Sequence, residues 1–231
     1  MIRLLLSIAV LPAFLLMWYV YAQDKIEKEP PGLLLKLLIA GALSVISAII
    51  LETIGTGLLS YTGLPESGTA YNFIMCFFVI ALSEELGKYF FLKKCTWNHR
   101  AFNYRFDGIV YAVSVSLGFA VVENIMYVFQ HGIKTGILRA LTAVPAHAIF
   151  AVFMGCFYGQ AKMHDNLGNH FRAGFYRKMA IVMPIVLHGF YDFCAFQGTV
   201  LYSLLFIAFI ILMDIITIRR VKNSSARDVA I

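Results

Sequence analysis

Glu84, Glu85 and Lys88 sit inside an otherwise apolar run from Ala70 to Leu92 that is long enough to cross a bilayer. Each charge near the middle of a spanning helix costs about 2.5–3.5 kcal/mol on insertion scales, so three together offset much of the ~5–15 kcal/mol of net stability of an ordinary fold. Such a cluster persists only if something compensates it or uses it. With ~100° of turn per residue, Lys88 projects between the two glutamates, so it neutralises one carboxylate and leaves the other to its surroundings. A carboxyl group in an apolar pocket with a cation close by is poised to take a proton from water, which is general-base chemistry. The plainer alternative is a buried salt bridge that only fixes packing, and the second glutamate argues against it.

Glu123, His147, His188 and Asp192 lie in other apolar stretches and are the natural groups to meet this cluster. His188 and Asp192 are spaced i, i+4, which suits a carboxylate-oriented imidazole or two ligands on one metal. Their plainer reading is an intramembrane hydrogen bond. His147 falls on one stripe with Ala151, Gly155 and Gly159, small residues that allow close helix approach, so it points into a bundle. Alone it reads as a packed histidine. Phe119, one turn before Glu123, sets a ring beside that carboxyl group, and Asn124 follows it. Pro184 shares the face of His188 and Asp192 and frees a carbonyl one turn back, a means of opening room for water. Glu52 reads as a residue at the outer end of its span, and Asp214 as one that pairs with Arg219 or Arg220.

The elements that must position these groups are transmembrane helices. Of 231 residues, 60% are hydrophobic and 14% charged, too apolar for a soluble globular domain. We expect an all-α polytopic bundle of seven spans, near Ile2–Ala22, Leu33–Leu51, Ala70–Leu92, Gly108–Phe129, Ile137–Ala161, Met179–Phe196 and Thr199–Ile218. The first reads as a retained anchor, since its apolar run is longer than that of a secretory signal. Residues 1–231 then make a single membrane-embedded domain, since no connection is long enough for another. The formal charge of +6 does not point to nucleic acid, because the basic residues cluster in short connections facing anionic lipid. Lys93, Lys94, Arg100, Arg105, Arg172, Arg177, Arg219 and Arg220 lie on one side, whereas Arg3, Lys134 and Arg139 lie on the other. The positive-inside rule places the N-terminus outside and the C-terminus in the cytoplasm. The four cysteines have no metal-knuckle spacing and suggest no disulfide framework.

Taken in order, Glu84-Glu85 with Lys88 (EExxK), Asp107-Gly108-Ile109-Val110-Tyr111 running into Phe119 and Glu123-Asn124 (FxxxE), His147, and His188-Gly189 with Asp192 (HxxxD) resemble the PrsW family of bacterial intramembrane proteases. The short acidic loop at Asp24, Glu27, Glu29 and Pro30 is also similar, so the likeness spans nearly the whole chain. The resemblance implies a multi-pass bacterial cell-membrane peptidase that makes the first, site-1 cut in a single-span, membrane-anchored anti-sigma factor and so frees an envelope-stress sigma factor. PrsW is itself similar to the CAAX prenyl endopeptidases, where a glutamate activates water while histidine and asparagine hold the oxyanion. Carried over, Glu84 is the base, Glu85 supports it, and His188 and Asp192 stand at the scissile carbonyl. Glu123 takes the place of the wider group's histidine and Asp192 that of its asparagine.

Two mechanisms follow. In one, Glu84 removes a proton from water and His188 donates to the oxyanion. In the other, some of Glu84, Glu85, Glu123, His147, His188 and Asp192 bind zinc, which activates the water. From the residues alone, a proton-coupled transporter uses intramembrane carboxylates equally naturally, although no inverted repeat is visible. A scaffold recruiting partners through its small-residue stripes is the third reading. The sequence assigns no oligomeric state.

Overall fold

A computed structural model describes residues 2–231, and its elements are helices α1 (Ile2–Gln23), α2 (Pro31–Ser60), α3 (Thr69–Ile74), α4 (Leu82–Thr96), α5 (Asp107–His131), α6 (Ile133–Leu141), α7 (Ala143–Asn166), α8 (His170–Phe196) and α9 (Val200–Ala226). A π-helical segment, Met75–Ala81, joins α3 to α4 without a break. Six helical stretches are long and apolar enough to span a membrane. The continuous run from Thr69 to Thr96, which carries Glu84, Glu85 and Lys88, is the seventh long rod. The chain is all-α among the described residues, with one isolated antiparallel bridge between Tyr104 and Ala230.

Two boundaries differ from expectation. α2 runs on to Ser60, a rod of about 45 Å at 1.5 Å per residue, longer than a hydrocarbon core of about 30 Å. The expected fifth span from Ile137 is divided, because the chain breaks helical geometry at Thr142 (φ −122°, ψ −66°) and restarts at Ala143. Pro145 then falls in the first turn of α7, where its missing N–H has no partner to lose. α6 is left as a short helix of its own, entered through Gly132 at φ +82°.

α5 is the central post, with α2, α7 and α1 packed around it. Its residues from Asp107 to Ala120 are continuously buried, as a helix surrounded on all sides by protein must be. Small residues set the spacing. A Cβ at Gly155 would lie 2.4 Å from the Gly108 carbonyl oxygen, and one at Gly118 would lie 2.1 Å from that of Leu38, so α7 and α2 approach α5 backbone to backbone. At one face the C-terminal segment is tied to the end of α1 and to the connection before α5: Ser225 Oγ donates to the Gln23 carbonyl at 2.5 Å, Ile231 N–H to Asn103 O at 2.8 Å and Arg105 N–H to Val229 O at 3.0 Å. This face carries most of the basic residues and is called the basic face below.

Candidate functional site

The π-helical segment ends where the two glutamates begin. Its wider turn rotates everything that follows relative to a regular helix and aims the first turn of α4 at the bundle interior. Glu84 and Glu85 are both buried, as is Lys88. The lysine does more than the expected neutralisation of one partner: Nζ donates to Glu84 Oε2 at 2.9 Å and to Glu85 Oε1 at 2.7 Å. Its third donor meets His147 Nδ1 at 3.2 Å, and the ammonium lies 4.0 Å from the centre of the Phe119 ring. Phe119 thus serves the lysine, and it lines the same cavity as Glu123.

His188 comes from α8 on the opposite side of the cluster. Its Nδ1 donates to Glu85 Oε1 at 2.9 Å, while Nε2 faces Asp192 Oδ2 at 3.3 Å. The ring stacks on Phe150 with centroids 4.9 Å apart. The neighbouring Gly189 lets α8 settle against the π-helical segment, since a Cβ there would meet the Phe77 ring at 2.5 Å. His147 projects from the first turns of α7, and its Nε2 donates to Glu123 Oε2 at 2.8 Å. With Nδ1 accepting from Lys88, this ring holds its proton on Nε2. Ser116 Oγ fixes the backbone there through the His147 carbonyl at 2.9 Å. The structure thus joins all six groups (Glu84, Glu85, Glu123, His147, His188 and Asp192) through Lys88 into one network of hydrogen bonds and close charge contacts from four helices.

The network stands against a cavity of about 910 Å³. Glu84, Glu123, His188 and Asp192 are on its wall, whereas Glu85, Lys88 and His147 are not. One carboxylate of the pair faces the space where a substrate can lie, and the other holds His188 from behind. α2 and α9 form two of the remaining walls, through residues such as Ala48 and Ile207. Glu123 sits about 24 Å along α5 from Asp107, so the cavity is in the half of the bundle away from the basic face.

Two residues of this site were given plainer roles by the sequence. Arg139 reads there as a charge on an outer connection, yet α6 folds back so that its Nη2 meets Glu123 Oε2 at 2.8 Å and its Nε donates to Asn124 Oδ1 at 3.1 Å. Asn124 points away from the glutamates, donating its Nδ2 to the Ala9 carbonyl of α1 at 3.0 Å. It positions the arginine. Glu52 is on the cavity wall because α2 continues past it for two more turns. The signal for Arg139 was a lone cation in an apolar stretch, legible only by asking which acid lacked a partner.

A zinc ion would need three or four free ligand atoms. Glu84, Glu85 and His147 are the one set at this site, among the described residues, whose atoms converge within 4.8 Å. One oxygen of Glu85, Oε2, is buried without a partner. However, Lys88 Nζ already sits between the carboxylates, and the single lone pair of His147, on Nδ1, accepts from it. A divalent ion and the ammonium compete for one place. With Lys88 so placed these residues do not fit a metal.

A model of the family described as "PrsW family intramembrane metalloprotease" matches residues 29–216. Protease PrsW of Oceanobacillus iheyensis is 36% identical over 225 residues, covering 96% of each chain. Protease PrsW of Geobacillus kaustophilus is 36% identical over 188 residues (81% of this chain, 78% of the relative), and that of Bacillus subtilis is 31% identical over 208 residues (89% and 90%). No solved structure matches. With this kinship over most of its length, and with its acids and imidazoles gathered at one intramembrane cavity, the chain belongs to the PrsW family and is a multi-pass bacterial membrane endopeptidase.

Proposed function

We propose that this endopeptidase makes the site-1 cut in a membrane-anchored anti-sigma factor, and that Glu84 is the base that activates water for it. The observation carrying the base assignment is the division of labour in the glutamate pair: only Glu84 lines the cavity, while Glu85 is wholly buried on Lys88 and His188. Water in the cavity loses a proton to Glu84, and its oxygen adds to the peptide carbonyl carbon. The carbonyl oxygen becomes an oxyanion that accepts from His188 Nε2–H, a donor steadied by Asp192 and by Glu85 on the other nitrogen. Collapse breaks the C–N bond, and the proton held by Glu84 passes to the leaving amine. Lys88 keeps both carboxylates in register, and Arg139 offsets the charge of Glu123 so that acids do not surround the oxyanion unopposed.

A transmembrane substrate reaches such a cavity from the lipid, between the walls that α2 and α9 provide, and is cut near the outer side of the membrane. The test is reconstitution of the purified protein with a candidate membrane-anchored anti-sigma factor and mapping of the products by mass spectrometry. Glu84→Gln and His188→Ala should each abolish the cut while the protein still inserts and folds. Full cleavage by either variant overturns the mechanism, and cleavage only of substrates without a sigma-factor-binding domain overturns the substrate.

The second reading is a zinc-dependent version of the same protease, favoured by the convergence of Glu84, Glu85 and His147 and by the family's description. It requires Lys88 to leave its three partners. Extensive dialysis against a strong chelator, with metal analysis, separates the two: we expect unchanged activity at less than about one-tenth equivalent of metal, and loss of activity restored by Zn²⁺ would establish the metal enzyme.

A further inference from the structure

A second cavity, of about 500 Å³, lies at the basic face between the start of α5, the end of α7 and the end of α9. Arg105, Arg219, Arg220 and Arg227 all line it. Among the described residues none of the four has a carboxylate within 4.0 Å, in contrast to Arg139 and Arg177 elsewhere. Arg105 Nη2 donates to the Arg227 carbonyl at 2.5 Å, and the Arg220 guanidinium lies over the Phe153 ring at 4.8 Å. Asp228, close to Arg105, spends its Oδ1 on the backbone N–H groups of Phe106 and Val229, at 2.8 and 3.0 Å. Four guanidinium groups around one hollow repel one another unless an anion sits among them.

The walls say which kind of anion. Phe157 and Ile216 continue the cavity toward the apolar part of the bundle, while the arginines ring its polar end. A ligand that fits both has a charged head and apolar chains. The position, where α9 leaves the membrane on the face expected to meet anionic lipid, is that of a phospholipid headgroup. We propose that this cavity binds the phosphate of an anionic phospholipid, and that the bound headgroup fastens the end of α9 to α5 and α7. α9 also walls the active-site cavity at its other end, through Phe206 and Ile210, so the lipid steadies a helix the substrate must pass.

The test uses the full-length protein in neutral detergent, titrated with phosphatidylglycerol, phosphatidylcholine or inorganic phosphate and read by native mass spectrometry and thermal unfolding. Phosphatidylglycerol should be retained and should raise the melting temperature, and phosphatidylcholine should do neither. Arg219→Gln/Arg220→Gln should weaken retention about thirtyfold, about fivefold for each guanidinium near the membrane surface. Lys93→Gln/Lys94→Gln, which removes the same charge from the same face outside the cavity, should leave retention unchanged. Equal weakening in the two double variants means general surface attraction and overturns the site. A rise in melting temperature with inorganic phosphate as large as with the lipid assigns the cavity to soluble phosphate and overturns the lipid as its source. Should the double variant fail to fold, Arg219→Gln alone, at an exposed side chain, gives the same comparison with a fivefold expectation.

Discussion

Two clusters of buried carboxyl groups occur among the described residues, and they are built on opposite principles. At the proposed catalytic site Glu84 and Glu85 surround a lysine that is itself fully buried and gives both of them hydrogen bonds. At the basic face Asp24, Glu29 and Asp107 are as deeply buried, with oxygens within 4.8 Å of one another, yet among the described residues no ammonium or guanidinium donates to their carboxylates. The nearest cation, Lys28, is exposed and donates to the backbone carbonyls of Tyr21 and Asp24. The second cluster answers burial with protons and neutral donors: Tyr111 Oη donates to Glu29, and the N–H groups of Asn103 and Tyr104 donate to Asp107 Oδ2 at 3.0 and 2.7 Å. On the proposed mechanism, acids that must stay charged to do chemistry come with a cation inside the bundle, and acids that only close a loop do without one.

The strongest way to break this contrast is to remove each cluster's lysine. Lys88→Ala leaves two buried carboxylates facing each other, which should cost about 3–5 kcal/mol, lower the melting temperature in detergent by about 10 °C and abolish cleavage. Lys28→Ala, at an exposed side chain, should cost less than about 1 kcal/mol and leave cleavage unchanged. Equal losses in the two variants would erase the distinction. Replacing Glu84, Glu85 and Lys88 together by Gln, Gln and Met should recover much of the stability but none of the activity.

Arg139 offers a finer cut, because it meets the network through Glu123 and Asn124 and lines the same cavity. Arg139→Ala should lower kcat about ten- to hundredfold with KM little changed, as expected when charge stabilisation in the transition state is lost and binding is not. Arg139→Lys should recover part of the rate, since an ammonium restores the charge but not the two-pronged contact. A purely structural arginine would instead show its loss in the melting temperature, with kcat intact.

Much of this arrangement can be read from the sequence, because membrane burial makes each charge conspicuous. The apolar runs give the seven rods, and Glu84, Glu85, Glu123, His147, His188 and Asp192 stand out on four of them as groups too expensive to leave unused. What escapes such a reading depends on backbone detail that apolar content does not encode. The wide turn at Met75–Ala81 sets the direction in which Glu84 and Glu85 point, but its residues are as apolar as those of any spanning helix. Arg139 is hidden because a break at Thr142 turns the expected start of one span into a separate helix folded over the site. The three acids at the basic face are separated by up to the length of three helices along the chain, and only the fold shows that Asp24 and Glu29 close onto Asp107.

The smallest expected effect tests the second cluster by its protons. Burial pushes the Asp24 carboxyl group up to about 6 and that of Glu29 up to about 7, from ordinary values of 3.8 and 4.5. Each binds its proton more tightly in the folded protein than in the unfolded chain. Their stabilisation is therefore complete below the ordinary carboxylate range and is lost as pH rises through about 6 and then about 7. The melting temperature in detergent should fall by several degrees between pH 5 and pH 8, opposite to the acid-induced loss common for paired carboxylates. Glu29→Gln keeps the shape and hydrogen-bonding donor of the protonated acid but cannot ionise. Its melting temperature at pH 8 should match that of the parent protein at a lower pH, with a flatter profile throughout. A profile left as steep by Glu29→Gln as in the parent protein would mean that an ionic partner holds this cluster after all, and that the two sites obey one rule.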